Sequence, residues 1–484
     1  MERRRLPEAC FLVLALLLPA WFYGAMDLAA QDGSIRNIAA PCLGYAGMVL
    51  LLFAIFQWTR KYVLPSGNAS RTLLLLLGLT LVPRILWWLA VPPATGSDYG
   101  LYVRLAREYA ESGRIEPDAY LLTIAQNAAL YAAVLGRVMR MFGTDIGVAQ
   151  GFCVVLHVAN VLLLYGVGRE MTSRRRAFWA SAAFSLLPEN IFYSTLPGIE
   201  ALSMFTILAG MLSVLHSGNG KGWKACALPL AGGALLAFST CVRASAWAAA
   251  AAAVWLLLKR RREGETLRDR LISLLYFALG MGLVLWWHHG FQGWIFGGLR
   301  PAAGLGWPLY EGLDLESGGR WTEEKSKRCI ELIESLPPRD ADRVLWQEAT
   351  ERFRAYSLPE KIRLFLRKGG TLWFDSRYSV YSLEWTESLR PAEAVATGSW
   401  GLCLAAWNAA LLLRWKEPLF SPARSGCVAC MILILLTCAW HQAGTSIGRY
   451  HYMLIPFVLL MLMMLLPEGK TTGRKVKPWT CFRH

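Results

Sequence analysis

"ATGSDYGLYVRLAREYAESG", residues 94–113, has the pattern of an amphipathic helix with an acidic start, although it directly follows a long apolar stretch. Its apolar and charged side chains fall on opposite faces: Tyr102, Leu105, Ala106 and Tyr109 against Arg104, Arg107, Glu108 and Glu111. Gly113 is placed to end the helix, because glycine readily adopts the left-handed conformation of a helix C-terminus. We therefore expect a surface helix that begins beside Asp98, at the mouth of a membrane span.

The composition is that of an integral membrane protein. Of 484 residues, 55% are hydrophobic and 17% are charged, and the mean hydropathy is +0.36; an ordinary soluble chain is less apolar and more charged. In lipid, an apolar span must be helical because a helix satisfies its own backbone polar groups. By length we expect about twelve spans: 10–30, 41–59, 72–92, 146–166, 177–195, 199–216, 225–241, 243–258, 270–288, 397–414, 424–441 and 450–467.

The net charge of +16 does not indicate a nucleic-acid partner, because the basic residues collect in connections on one side of the spans. These residues are Arg3, Arg4, Arg5, Arg60, Lys61, Arg71, Arg169, Arg174, Arg175, Arg176, Lys221, Lys224, Arg260, Arg261, Arg262, Arg414, Lys416, Arg474, Lys475 and Lys477. Positive charge favours the cytoplasmic side. We expect a multi-pass protein with both termini in the cytoplasm, and the short loops favour a bacterial plasma (inner) membrane.

Two longer segments are then predicted on the outer, periplasmic side. Residues 121–142 are long enough to span, but counting them as a span would place the later basic connections outside. They form a second amphipathic stripe instead: Leu121, Ile124, Ala128, Tyr131, Leu135, Val138 and Phe142. Residues 289–396 are too long for a passive connector. We expect a small helical cap there, with helical patterns over 323–336 and 344–357 and a basic amphipathic helix over 359–374 that suits a membrane surface.

These expectations divide the chain into five parts. They are a cytoplasmic tail with an additional transmembrane hairpin (1–71), a transmembrane core (72–288) with an outer loop (93–145), an outer cap (289–396), C-terminal transmembrane helices (397–467) and a basic cytoplasmic tail (468–484).

The order and sidedness of several motifs resemble the GT-C superfamily of membrane glycosyltransferases, and more closely its family 39-like branch of protein O-mannosyltransferases and aminoarabinose transferases. The motifs are "GSDYGLY" (96–102), "RMFGTD" (140–145), "LLPENIFYSTLPGIEAL" (186–202) and "GRYHYMLIPF" (448–457). The resemblance covers most of residues 72–467. Two features depart from the family: Asp98 is followed by Tyr99 where members carry an acidic pair, and "AYLLTIAQN" (119–127) replaces a proline-rich helix start.

The resemblance implies a cell-envelope glycosyltransferase, transferring a hexose or pentose from a polyprenyl-phosphate donor to an acceptor hydroxyl, with inversion, at the outer face. That displacement needs a base for the acceptor and positive charge for the departing phosphate. Asp98 is the candidate base, and Arg243 and Arg449 are the candidate phosphate ligands. Further candidate substrate contacts are Glu200, Tyr99, Tyr102, Tyr450, Lys361 and Arg363.

Each candidate has a plainer interpretation. Asp98 could only cap the surface helix, Arg243 and Arg449 could extend towards lipid headgroups, and Glu200 could cap a helix. Tyr450 suits an aromatic belt at the membrane interface. Lys361 and Arg363, with Arg367 and Lys368, suit either a lipid phosphate or a solvated helix face.

Two other functions are weighed against this one. An O-antigen-ligase-like transferase would rely on outer-loop arginine and histidine instead of Asp98, and a secondary transporter of about twelve helices would show internal repeats and broken helices near the midplane. The acceptor is a lipid, a glycan or a protein, the bilayer is a partner, and nucleic acid is not. The sequence predicts no metal site, and a divalent ion stays open as a cofactor.

Overall fold

A computed structural model describes residues 5–31, 69–91, 96–123, 126–217, 223–259, 266–298, 304–380, 390–414 and 425–466, and these residues contain helices and turns but no strand. In chain order the helices are α1 (Arg5–Gln31), α2 (Ala69–Ala90), α3 (Ser97–Ser112), α4 (Ala119–Thr123), α5 (Gln126–Phe142), α6 (Ile146–Met171), α7 (Arg174–Leu186), α8 (Pro188–Phe192), α9 (Ile199–Ser217), α10 (Lys224–Val242), α11 (Trp247–Lys259), α12 (Leu267–Ile295), α13 (Gly306–Gly312), α14 (Glu323–Ser335), α15 (Pro338–Ala355), α16 (Leu358–Phe374), α17 (Arg390–Arg414), α18 (Ser425–Ala443) and α19 (Ile455–Leu465). Short 3₁₀ turns cover Tyr193–Thr195, Ala244–Ala246, Arg377–Ser379 and Gly448–Leu454.

Eight stretches within the described ranges are long and apolar enough to cross a membrane, so the protein is an all-helical polytopic membrane protein, as predicted. They are Ser70–Ala90, Ile146–Met171, Ile199–Ser217, Lys224–Val242, Leu267–Ile295, Ala392–Arg414, Ser425–Ala443 and Gly448–Leu465. Each coincides with a predicted span.

The count of twelve spans is not confirmed. The predicted span 41–59 and the basic tail 468–484 lie outside the described residues. The span 10–30 corresponds to α1, which is not among the eight. The span 243–258 is divided between a 3₁₀ turn and α11, which has 13 residues.

The predicted span 177–195 is broken at Pro188. Leu187 is extended, with ψ of 123°, because a proline ring disfavours the helical conformation of the residue before it. Pro188 also lacks the N–H that would bond to the carbonyl of Phe184. The side-chain amide of Asn190 donates to that carbonyl instead, over 2.7 Å. The backbone at the break therefore stays hydrogen-bonded, as the apolar surroundings require.

A second proline, Pro83, removes a backbone hydrogen bond inside α2, and a side chain of α7 replaces that bond. Pro83 leaves the carbonyl of Leu79 without its usual helical donor, and the hydroxyl of Ser185 donates to it over 3.1 Å. In return, the fully buried guanidinium of Arg84 donates to the carbonyl of Ser185, also over 3.1 Å. These hydrogen bonds hold α2 and α7 against each other.

The two amphipathic segments that follow α2 form helices. α3 buries its predicted apolar face and ends at Gly113, whose φ is 74°. In the second segment Leu121 and Tyr131 are buried in the protein, whereas Phe142, at the end of the predicted stripe, is 71% exposed. α5 packs on α3 so closely that a Cβ at Gly136 would lie 2.6 Å from the carbonyl oxygen of Ala106.

The three helical patterns predicted between residues 323 and 374 are confirmed as α14, α15 and α16. α14 and α15 pack with α13 around a small apolar core formed by Trp307, Cys329, Leu332, Ile333, Ala341 and Leu345. We call residues 304–355 the cap. Lys368 of α16 holds the cap against the end of α18, because its buried ammonium group donates to the carbonyls of Gly312 (2.8 Å), Gln442 (2.8 Å) and Gly444 (2.6 Å).

α16 differs from a helix lying free on a membrane surface, because it packs antiparallel along α1. Near one end, Asp27 of α1 accepts hydrogen bonds from Arg363 (2.9 Å) and Arg367 (2.6 Å). Nearer the other end, the rings of Trp21 and Trp373 stack with centroids 6.3 Å apart. The amphipathic pattern thus marks a helix with both an ionic and an aromatic contact to its neighbour.

Replacing Gly24 by alanine is expected to weaken the packing of α1 on α16. A Cβ there would lie 2.0 Å from the carbonyl oxygen of Leu366, so the helices must move apart, and overpacking costs about 1–3 kcal/mol. The measurement is the half-life of the folded protein at raised temperature in detergent. Gly78→Ala is the matched control, since a Cβ there meets no described atom within 4 Å. Equal half-lives for the two variants would contradict this packing.

Candidate active site

Four charged side chains from distant parts of the chain meet at one end of the helical bundle. They are Asp98 in the first turn of α3, Glu200 in the first turn of α9, Arg243 between α10 and α11, and Arg449 in the turn Gly448–Leu454. All four are residues that the sequence singled out. We call this group the charged cluster.

The charged cluster is an alternating chain of carboxylates and guanidinium groups. Arg449 donates to the carboxylate of Asp98, and its Nε lies 3.8 Å from Oε1 of Glu200. Arg243 donates to the same Glu200 oxygen over 2.7 Å. Two negative and two positive groups therefore balance formally, which offsets the cost of charges at the ends of apolar helices.

Exposure differs sharply along this chain of charges. The side chain of Asp98 is 31% exposed, whereas that of Glu200 is 3% exposed. The side chains of Arg243 and Arg449 are also largely buried, at 7% and 12%, so both arginines turn inwards to carboxylates instead of extending to headgroups. Asp98 is the member of the cluster that a molecule from the solvent can reach.

Asp98 is not the residue that caps α3. The N-cap position of α3 belongs to Gly96, not to Asp98. The residue between them, Ser97, has φ of 59°, a left-handed conformation that costs a non-glycine residue about 1–2 kcal/mol. The Asp98 carboxylate therefore follows a strained residue and is directed to Arg449.

Tyr99 and Tyr102 line the buried side of the charged cluster. A Cβ at Gly198 would lie 2.6 Å from the Tyr99 ring and 2.4 Å from a Glu200 oxygen, so glycine permits their close approach. Burial and the Glu200 charge raise the pKa of Tyr99, against the lowering effect of Arg449. Burial and Asp98 raise the pKa of Tyr102. Both phenols keep their protons and are available as hydrogen-bond donors.

Tyr450 joins the cluster through its ring. The guanidinium carbon of Arg243 lies 4.6 Å from the ring centroid, and the His441 ring stacks on it at 4.2 Å. Tyr450 thus supports the position of Arg243 by a cation–π contact.

Lys361 and Arg363 lie outside the charged cluster. Arg363 is paired with Asp27 of α1, and the Lys361 ammonium lies 5.3 Å from the ring of Phe353. The structure therefore separates these two candidates from the other predicted site residues and gives them partners near α16.

A second set of polar residues lies beneath the charged cluster, and sequence reasoning did not bring its members together. Tyr452 contacts Nδ1 of His157 over 3.0 Å and donates to the side-chain oxygen of Asn190. Glu189 and His451 form a separate, fully buried pair. The available signal was the presence of ionisable and polar residues inside predicted spans, which is itself a functional indication.

The described residues do not offer a complete set of metal ligands. Among them, no group of three or more His, Cys, Asp or Glu side chains could hold a metal ion. Where Asp98 and Glu200 approach each other, the guanidinium of Arg449 lies between them. We derive no chemical step through a metal at this site.

Comparison with known proteins identifies similar structures but no similar sequence. No protein-family model and no curated protein matches the chain. One similar structure is the oligosaccharyltransferase AglB from Archaeoglobus fulgidus in complex with an inhibitory peptide and a dolichol-phosphate, at 12% identity and a TM-score of 0.36, covering 81% of this chain and 57% of that one. Another, the oligosaccharyltransferase of the same organism with Zn and sulfate, has 13% identity and a TM-score of 0.41, with 81% and 48% covered.

A third similar structure is ArnT from Cupriavidus metallidurans bound to undecaprenyl phosphate, at 13% identity and a TM-score of 0.37, with 80% of this chain and 78% of that one covered. AglB and ArnT are GT-C membrane glycosyltransferases, the superfamily that the sequence motifs resemble. The chain spans about half the length of the archaeal enzymes.

Replacing Glu200 by leucine is expected to destabilise the protein by about 3–5 kcal/mol, because it leaves buried arginine without its carboxylate. The measurement is the free energy of unfolding in mixed detergent micelles titrated with SDS. Adding Arg243→Met to Glu200→Leu should recover part of the loss, since the pair is then replaced by apolar groups of similar size. Fully additive losses in the double variant would show that the two side chains do not act as a pair.

Proposed function

We propose that the protein is a membrane glycosyltransferase that moves a sugar from a polyprenyl-phosphate donor to an acceptor hydroxyl, with inversion, at the outer face of the plasma membrane. The observation that carries this proposal is the charged cluster, in which the solvent-reaching carboxylate of Asp98 pairs with the largely buried Arg449, and Glu200 connects Arg449 to a second buried arginine, Arg243. General-base catalysis and stabilisation of a leaving phosphate need this combination.

Asp98 is the proposed general base. The acceptor oxygen attacks the anomeric carbon, its proton passes to the Asp98 carboxylate, and the bond from that carbon to the donor phosphate oxygen breaks. A single displacement of this kind inverts the anomeric centre. The exposure of Asp98, and its place at the start of α3, suit a base that meets an acceptor arriving from the solvent.

Arg449 and Arg243 are the proposed ligands of the departing lipid phosphate. Guanidinium groups bind phosphate oxygens with two parallel hydrogen bonds and keep their charge at all relevant pH values. Glu200 contacts both arginines and so sets the spacing between them. Tyr99 and Tyr102, which keep their phenolic protons, supply donors beside the same space.

The proposed orientation places the charged cluster outside and both termini in the cytoplasm. At the opposite end of the bundle, Arg174 donates to the hydroxyl of Thr72 over 2.8 Å and Arg176 to the carbonyl of Leu466 over 2.5 Å. These arginines belong to the basic connections that favour the cytoplasmic side. The predicted outer segments 93–145 and 289–396, the second of which contains the cap, then lie on the acceptor side. The acceptor itself is a lipid, a glycan or a protein.

One observation favours the transporter alternative. The break at Pro188 puts polar side chains inside the bundle, and broken helices near the midplane are typical of transporters. The assay below distinguishes the two functions, because transport releases no lipid phosphate.

Asp98→Asn is expected to lower turnover by about 10²–10⁴-fold, because the amide cannot accept the acceptor proton. The assay uses purified protein in nanodiscs, a panel of polyprenyl-phosphate sugars and candidate acceptors, and measures the free polyprenyl phosphate released. Glu111→Gln is the matched control: it also removes a carboxylate from α3, but from an exposed position away from the cluster. This control should keep wild-type turnover.

Two results would overturn the proposal. Donor-specific turnover that survives Asp98→Asn in a folded protein would move the chemistry to arginine and histidine, as in the ligase-like alternative. An absence of turnover across the donor panel, with transport of a solute into proteoliposomes, would favour the transporter.

A further inference from the structure

The side chains of Glu189 and His451 form a hydrogen-bonded pair in the interior of the bundle that the proposed reaction does not use. Both side chains are completely buried. Nε2 of His451 lies 3.0 Å from one Glu189 oxygen and 3.1 Å from the other. Glu189 lies in α8, directly after the break at Pro188, and His451 lies two residues after Arg449 in the turn Gly448–Leu454.

The hydrogen bonds of His451 determine how many protons the pair holds. Its Nδ1 lies 2.7 Å from the backbone carbonyl of Leu372, and a carbonyl can only accept, so Nδ1 carries a hydrogen. Because Nε2 lies at hydrogen-bond distance from the Glu189 carboxylate, one further proton is shared between them, on Nε2 or on a carboxylate oxygen. In both arrangements the pair is neutral overall, which is the condition under which two ionisable groups are tolerated in a buried site.

Further contacts hold the pair from other segments. The hydroxyl of Ser376 donates to Glu189 over 3.1 Å. The His451 ring stacks parallel to the Trp400 ring, at 5.3 Å between centroids and an interplanar angle of 3°. The Trp400 indole in turn donates to the carbonyl of Trp373 over 2.9 Å. The pair therefore joins α8, α17 and the end of α16 to the turn that carries Arg449.

The backbone on both sides of Arg449 is fixed by the same short segment, residues 372–376. Before Arg449, a Cβ at Gly448 would lie 1.8 Å from the carbonyl oxygen of Asp375, so this position has room only for glycine. After Arg449, His451 is bound to the Leu372 carbonyl and to Glu189. The position of Arg449 between Asp98 and Glu200 thus depends on the contacts that Gly448 and His451 make with segment 372–376 and with Glu189.

We propose that Glu189 and His451 are positioning residues for Arg449, and that they act through the geometry of the pair. This inference rests on the proposed function for its kinetic consequence. Neither side chain touches the charged cluster in the structure; the pair holds the turn so that the Arg449 guanidinium reaches both carboxylates. Misplacing a catalytic group by about 1 Å can cost about 10²-fold in rate.

The variants Glu189→Gln and Glu189→Ala separate geometry from charge. A glutamine amide can donate to Nε2 of a neutral His451 and accept from Ser376, so Glu189→Gln preserves the arrangement. We expect its donor kcat/KM to stay within a few-fold of wild type. Glu189→Ala leaves Nε2 without its partner and opens a void, so donor kcat/KM should fall by about 10-fold or more, with the acceptor KM unchanged. Glu189→Asp shortens the side chain by one methylene, and its donor kcat/KM should lie between those of the other two variants. It takes the place of the alanine variant if that variant does not fold.

A second readout does not require turnover. The coupling energy between Asp98 and Arg449 is measured by a double-mutant cycle with Asp98→Asn and Arg449→Met, from unfolding in SDS. We expect full coupling in the wild-type and Glu189→Gln backgrounds, weaker coupling in Glu189→Asp and its loss in Glu189→Ala. Full coupling in these last two backgrounds would overturn the positioning role even if the protein proved not to be a transferase. Equal kinetic loss in Glu189→Gln and Glu189→Ala would overturn it too, because the charge or the shared proton would then be the requirement.

Discussion

The cost of placing an arginine at the end of an apolar helix constrains the arrangement of this molecule. Arg243 and Arg449 lie at such ends and are largely buried, so each needs a carboxylate within a few ångströms. Glu200 and Asp98 meet that need. Because the four side chains come from four separate segments, satisfying the two arginines brings α3, α9, the link between α10 and α11, and the turn Gly448–Leu454 together.

The members of the charged cluster could be singled out from the sequence, because its two arginines depart from the charge bias of the short connections. Basic residues of those connections collect on one side of the predicted spans, and Arg243 and Arg449 fall at the other side. Asp98 and Glu200 could be placed at the same end by counting spans. Apolar lengths and loop charges are local features of the sequence, and they suffice to predict that these charged residues share one end of the bundle. The pairing of Arg449 with Asp98, across 351 positions of sequence, needed the structure.

Other features depend on contacts that local patterns do not encode. A hydropathy window treats residues 177–195 as one span, although Pro188 divides them and side chains repair the backbone. The amphipathic pattern of α16 indicates that one face needs a partner, but not that the partner is α1, more than 300 residues earlier. Glu189 and His451 are 262 positions apart, and each alone reads as an isolated polar residue in an apolar helix.

The balance of the charged cluster has a consequence for the proposed reaction. Arg449 donates to the carboxylate of Asp98, so the group proposed to bind phosphate also holds the proposed base. A donor phosphate that takes hydrogen bonds from Arg449 competes with Asp98 for the same donors. The carboxylate is then freer to accept a proton from the acceptor, while Glu200 keeps Arg243 in place. In the proposed reaction the base is therefore released as the leaving group binds, which couples donor binding to activation of the acceptor.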